Sequence, residues 1–163
     1  MAHTTEKLSI AYEVYESSNE LEPSDAALLQ RAIDATGIAY APYSNFRVGA
    51  AALMENGEIV VGSNQENASY PVGLCAERVL LSAVSSVYPG VAIKTMAISY
   101  RSESGASNRP ISPCGVCRQT LVEYEARLKQ PIRLILGGME GKVWIIPQAG
   151  SLLPFGFSGD DLK

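Results

Sequence analysis

The sequence is poor in the residues on which several large classes of function depend. It contains one histidine, His3, so imidazole chemistry within a cluster of polar groups has almost nothing to draw on. Lys and Arg number 13 against 17 Asp and Glu, for a net charge of −4, and basic residues gather nowhere along the chain. Gripping a nucleic-acid backbone takes a basic track that displaces counterions, so a polynucleotide is a poor candidate substrate and a small molecule a better one. No apolar run is long enough to cross a bilayer, and the stretch from Met1 to Lys7 is polar. The expected compartment is therefore the cytoplasm, with no membrane partner. Cysteine is scarce too. There are three, an odd number that argues against a closed disulfide framework. In a reducing compartment, thiols grouped in this way serve as metal ligands or catalysts.

Against these shortages stands ample core material: 47% of the 163 residues are hydrophobic and 18% charged. That composition fits one compact domain and excludes overall disorder. Residues 24–163 read as the domain and residues 1–23 as an extension of unassigned role. Within the extension, Leu8 to Tyr15 partly alternates and suits a peripheral strand or an ordered arm. Ser24 reads as the N-cap of a helix from Asp25 to Tyr40, which Pro42 ends. Arg47–Met54 and Glu58–Gly62 read as strands joined at Asn56-Gly57, a hairpin signal in which both turn residues take positive φ. A helix from Cys75 runs to Pro89-Gly90, Ile93–Tyr100 is a strand, and Arg101–Ser112 is a polar loop. A helix over Cys114–Leu128 precedes strands at Ile132–Leu136 and Lys142–Ile146. Helices alternating with apolar strands imply an α/β sheet covered on both faces.

The cysteines fall where chemistry is expected. Cys114 and Cys117 form a Cys-x-x-Cys pair at one predicted helix start, and Cys75 opens the helix before it. Two thiolates one helical turn apart, with a third from another element, can hold one metal ion, and soft sulfur ligands select zinc. Unpaired amides at helix starts favour the thiolate form. With no fourth ligand evident, one zinc position stays open to water, which is the arrangement of a catalytic centre. Glu77, two residues after Cys75, is placed to move protons at that water. Three thiolates make the centre electron-rich. Arg78, three residues after Cys75, can reach back toward the sulfurs and offset their charge. Taken singly, these residues have plainer readings: a redox pair, a buried Cys75, a helix-start acid at Glu77 and a solvated Arg78. Their grouping favours the catalytic metal.

The stretches Cys75-Ala76-Glu77-Arg78 and Pro113-Cys114-Gly115-Val116-Cys117-Arg118-Gln119 resemble the signature of the cytidine deaminases, in their short-chain homotetrameric branch. Zinc deaminases of this group carry protons on a Glu that is not a metal ligand, and the chemistry implied for this chain is theirs. Ala41–Ala51, Asn64–Tyr70 and Leu152–Phe157 extend the likeness over most of the chain. The resemblance implies a three-layer α/β/α sandwich around a five-stranded mixed sheet. It implies one zinc per subunit on Cys75, Cys114 and Cys117, and hydrolysis of cytidine and deoxycytidine to uridine and deoxyuridine in pyrimidine salvage. Zinc-bound hydroxide would attack C4 of the base, with Glu77 as proton shuttle. Phe46 would pack on the pyrimidine, Asn64 and Glu66 would bind ribose hydroxyls, and backbone near Ala76 would read the amide edge of the base. A tail phenylalanine, Phe157 with Phe155 as the alternative, would close a neighbouring subunit's site. The alternatives are a deaminase of another aminopyrimidine nucleoside, such as a blasticidin-type antibiotic, and a non-catalytic zinc-stabilised module.

Overall fold

The computed structural model describes residues 3–163. Six strands form one mixed sheet: β1 (Glu13–Tyr15), β2 (Phe46–Met54), β3 (Ile59–Ser63), β4 (Ile93–Ser102), β5 (Arg133–Leu136) and β6 (Val143–Ile146). Three helices cover it: α1 (Pro23–Ala35), α2 (Ala76–Val87) and α3 (Gly115–Leu128). The strand order is β1-β6-β5-β4-β2-β3. The resemblance implies five strands. The sixth is β1, which pairs antiparallel with β6 through Glu13↔Ile145, Val14↔Trp144 and Tyr15↔Val143. Part of the alternating Leu8–Tyr15 segment thus becomes the edge strand.

Period-2 alternation divides the core into two layers. Ala50, Ala52, Met96, Ile98, Leu134, Leu136 and Ile146 face α2 and α3, meeting Leu80, Leu81, Val84 and Leu121. Ala51, Ala97, Ile135, Val143 and Ile145 face the other way and meet Leu28, Leu29 and Ala32 of α1. The expected three layers are present. Strand β2 is rich in alanine and glycine because both helical layers press close. A Cβ on Gly62 would lie 2.6 Å from the Ala76 carbonyl and 2.7 Å from the Leu80 amide.

Two local expectations are corrected. The first helix begins at Pro23 with Glu22 in the capping position and no side-chain cap, so Ser24 lies inside the first turn. Proline at the first helical position needs no amide partner, and its fixed φ sets the start. The helix also stops early, at Ala35, and continues as a 3₁₀ turn over Thr36–Ile38, where the Thr36 hydroxyl donates to the Ile33 carbonyl at 2.7 Å. The β2–β3 hairpin forms, but only Gly57 has positive φ, at 87°. The Gly57 amide donates to Met54 at 3.1 Å and Met54 pairs with Glu58 at 2.9 Å, making a three-residue loop that ends in a glycine bulge. Among the described residues, no helix is long and apolar enough to cross a membrane.

Topology decides where the site must be. Strand β2 is antiparallel to both β3 and β4, so β3 and β4 run in the same direction. Helices α2 and α3 follow β3 and β4 respectively, so both begin from the carboxyl ends of parallel strands. That end of an open α/β sheet is where its loops make a cleft. Strand β2 starts there too, with Phe46 opposite Ser102, the last residue of β4.

Candidate metal centre and active site

Cys75 and Cys114 occupy equivalent places, each the extended residue that caps its helix, with φ/ψ of −71°/153° and −67°/169°. Neither side chain caps the helix, so both sulfurs are free to point elsewhere. Cys117 lies one turn into α3, fully buried. The Cys75 and Cys114 sulfurs are 3.7 Å apart, and those of Cys114 and Cys117 3.5 Å. All three lie within 4.8 Å of one another, and none is in a disulfide. Thiolates at about 2.3 Å from a tetrahedral zinc stand about 3.8 Å apart, so the spacing and the donor chemistry both fit this ion.

The electrostatics suit a metal site. The Cys75 thiol is pulled down to about 6, chiefly by a hydrogen bond from Cys117, with Arg78 assisting and burial opposing. The Cys117 thiol is pushed up by that same bond and by burial. Glu77 is buried beside the cluster, and burial raises its pKa against the lowering effect of its own backbone amide and of the Cys117 thiol. Ala76, between Cys75 and Glu77, is wholly buried. Arg78 is half-buried and acts on Cys75 through its charge.

The remaining expected residues meet at the same end of the sheet. Asn64 follows β3 and stitches it to the start of β2: its Oδ1 accepts from the Val48 amide at 2.7 Å and its Nδ2 donates to the Phe46 carbonyl at 2.9 Å. Glu66 accepts the amides of Tyr43 and Ser44 on one oxygen, at 2.8 and 3.2 Å, and so holds the loop that leads into Phe46. Phe46 stacks on Tyr100, ring centres 5.0 Å apart and 20° from parallel. Between Asn64 and Glu66, Gln65 exchanges two 2.9 Å backbone bonds with Leu74, the residue before Cys75. The polar segment is thereby tied directly to the segment that leads into Cys75. Phe157 stands apart. Its carbonyl accepts from Gln119 Nε2 at 2.8 Å, two residues past Cys117, while its ring is exposed, as is that of Phe155.

Sequence reasoning assigns no role to two residues that organise this region. Arg118 donates to the Pro113 carbonyl at 2.8 Å and the Leu152 carbonyl at 3.1 Å, linking the Cys-x-x-Cys loop to the tail. Its place inside the Pro113–Gln119 signature is the available signal. Glu125, buried in α3, accepts the amides of Ile132, Ala149 and Gly150 at 2.8 to 3.1 Å. Its spacing of four from Leu121 puts it on the inward face, which is visible in the sequence, but its partners are not.

Comparison with known proteins agrees with this geometry. The family model described as "Cytidine and deoxycytidylate deaminase zinc-binding region" matches residues 22–130. A cytidine deaminase of Halalkalibacterium halodurans is 37% identical over 136 residues, 83% of this chain and 96% of that protein. This chain belongs to the cytidine and deoxycytidylate deaminase family. Among solved structures, the cytidine deaminase of Burkholderia pseudomallei superposes with a TM-score of 0.68 at 41% identity, covering 80% of this chain and 97% of that one. The Mycobacterium tuberculosis enzyme gives 0.62 at 32% identity, over 80% and 94%. The zinc-binding region of the family thus spans the first-strand loop, the Asn64–Glu66 segment and all three cysteines. The alignments with whole cytidine deaminases cover 80–83% of this chain and so extend past that region.

Proposed function

We propose that this chain deaminates cytidine and deoxycytidine hydrolytically, giving uridine and deoxyuridine with release of ammonia, as a salvage enzyme of the cytoplasm. The observation that carries the reading is the juxtaposition of a buried Glu77 with three sulfurs at zinc-ligand spacing. Relatives over most of the chain that are named cytidine deaminase support it. Three free thiols suit a reducing compartment. Residues 24–163 act as the catalytic domain, and 1–23 as an addition to it.

Cys75, Cys114 and Cys117 would hold the zinc. Bound there, the ion would supply Lewis acidity toward water. Glu77 takes a proton from the attacking water and holds it, sheltered from solvent. It passes the proton to N3 of the cytosine ring as the water oxygen bonds to C4. It then moves the second water proton to the amino group, the C4–N bond breaks, and ammonia departs. Arg78 offsets the negative charge of the thiolates. Backbone at Ala76 reads the edge of the base, and Phe46, braced by Tyr100, covers its face. The second oxygen of Glu66 and the remaining amide hydrogen of Asn64 bind the sugar hydroxyls. Phe157 closes the site of a neighbouring subunit in a homotetramer.

Replacing Glu77 with Gln keeps the shape of the side chain and removes the proton carrier. Turnover of cytidine, read as ammonia, should fall about 10²–10⁴-fold while bound zinc per chain stays the same. Near-normal turnover in Glu77→Gln would remove the residue from this role. A parallel panel of deoxycytidine and a blasticidin-type nucleoside separates a plain nucleoside deaminase from an antibiotic-directed one.

A further inference from the structure

The segment ahead of the family match carries a pattern that the proposed reaction does not use. Residues before 22 lie outside the match, and His3–Tyr12 is exposed throughout and belongs to no helix or strand. Leu8, Ile10, Tyr12 and Val14 alternate along it and remain 58, 39, 51 and 49% exposed. Within the chain, Tyr12 lies edge-on to Trp144 at 5.5 Å. Strand β1 ends the sheet order, so its outer edge is open. An alternating apolar stripe leading into an open strand edge is a template for pairing with another chain.

The sequence indicates which chain. From Lys7 to Glu13 the heptad reads Lys-Leu-Ser-Ile-Ala-Tyr-Glu, with opposite charges at its ends, Leu and Tyr inside them, Ser and Ala next, and Ile10 at the centre. Laid antiparallel on its own copy about Ile10, each residue meets its complement. Lys7 faces the partner's Glu13, Leu8 faces the partner's Tyr12, Ser9 faces the partner's Ala11, and Ile10 faces the partner's Ile10. Both charge pairs are attractive, and the apolar residues share one face, as cross-strand pairing requires. Glu13 gives only Oε2 to the Tyr15 hydroxyl, at 2.7 Å, which leaves Oε1 for a lysine.

We propose that Lys7–Glu13 is a homotypic clasp, pairing antiparallel with the same segment of a second copy of this chain about a two-fold axis at Ile10. An isologous contact of this kind pairs the arms two by two.

The test uses the zinc-loaded full-length chain and two readouts. Lys7→Glu sets acid against acid at both ends of the clasp, and Glu13→Lys sets base against base. Each should raise the midpoint concentration of arm-dependent association about tenfold in sedimentation, and the double reversal Lys7→Glu/Glu13→Lys should recover most of it. Under mild oxidation, Ile10→Cys should link two copies rapidly and Ser9→Cys far more slowly, both judged against the parent chain. A double reversal as weak as the single ones, or equal cross-linking at positions 9 and 10, overturns the clasp. Release of ammonia from cytidine should not change in any of these variants. A chain inactive on cytidine that still cross-links through position 10 retains the clasp and loses only the proposed reaction.

Discussion

Two carboxylates near the cleft show how environment divides labour between residues of similar chemistry. Glu77 is buried among sulfurs, whereas Glu66 lies near the surface and accepts two backbone amides. The pKa of Glu66 is lowered, chiefly by the Ser44 side chain; burial opposes this as the next largest effect, and the Tyr43 and Ser44 amides lower it further. Its folded pKa lies below the unfolded one, so the anchoring of the loop is fully present above the ordinary glutamate value. It is lost as pH falls through the lowered value. Tyr43 and Ser44 amide resonances, followed from about pH 6 down to about pH 3, should titrate together with a midpoint below 4.5. In Glu66→Gln the transition should vanish; a midpoint at or above 4.5 in the parent chain contradicts the anchoring. The three-sulfur cluster was legible in the sequence because thiols are rare in it and sit at helix starts. Asn64 was expected only as a polar residue for the sugar, not as a structural one. Its bonds to Phe46 and Val48 join segments 16 to 18 residues apart, and no local pattern announces such a stitch. Arg118 and Glu125 escaped assignment for the same reason, since their partners come from the tail and the β5–β6 region.

At the scale of elements, the site exists because two crossover helices start from the same end of the sheet. How closely α2 sits on β3 then sets where Cys75 and Glu77 stand. Gly62 is the contact point, with no room for a Cβ against the Ala76 carbonyl and the Leu80 amide. Gly62→Ala should push the start of α2 outward, costing about 1–3 kcal/mol of stability. It should also loosen zinc, read as faster transfer to a chromogenic chelator. Gly90→Ala makes the control: it sits at φ 80° in open space, so it strains a turn far from the cleft and should leave zinc transfer unchanged. Equal zinc loss in both variants would mean that general destabilisation, not helix position, governs the metal. The same tight packing explains which elements could be read in advance. The apolar strands and both Cys-bearing helices follow from periodicity, and their observed bounds differ from expectation by a residue or two. Strand β1 was ambiguous because three residues on a half-covered edge carry little pattern, and β6 supplies the decision. The start of α1 was misplaced because Ser24 and Asp25 look like a cap, while Pro23 had already set the first turn.

For the whole molecule, the question is whether one chain makes one site. Gln119 anchors the Phe157 backbone beside the Cys-x-x-Cys helix, yet the ring faces away from its own chain's core. That arrangement has a use if the ring enters a neighbouring subunit's cleft, as the proposed homotetramer requires. Phe157→Ala should then raise KM for cytidine about tenfold, the loss expected for one aromatic contact, with a smaller change in kcat. Mixing decides which subunit supplies the ring. Glu77→Gln chains have a dead site and an intact tail, whereas Phe157→Ala chains have a live site and a truncated tail. Unfolded together and reassembled with zinc, they form hybrids in which a live cleft can receive an intact tail. If the ring crosses between subunits, the mixture should contain a low-KM population absent from either parent. If each tail closes its own cleft, every active site in the mixture keeps the high KM of Phe157→Ala, and activity simply scales with the fraction of those chains. Running the same mixture with Phe155→Ala in place of Phe157→Ala identifies which of the two exposed rings makes the crossing.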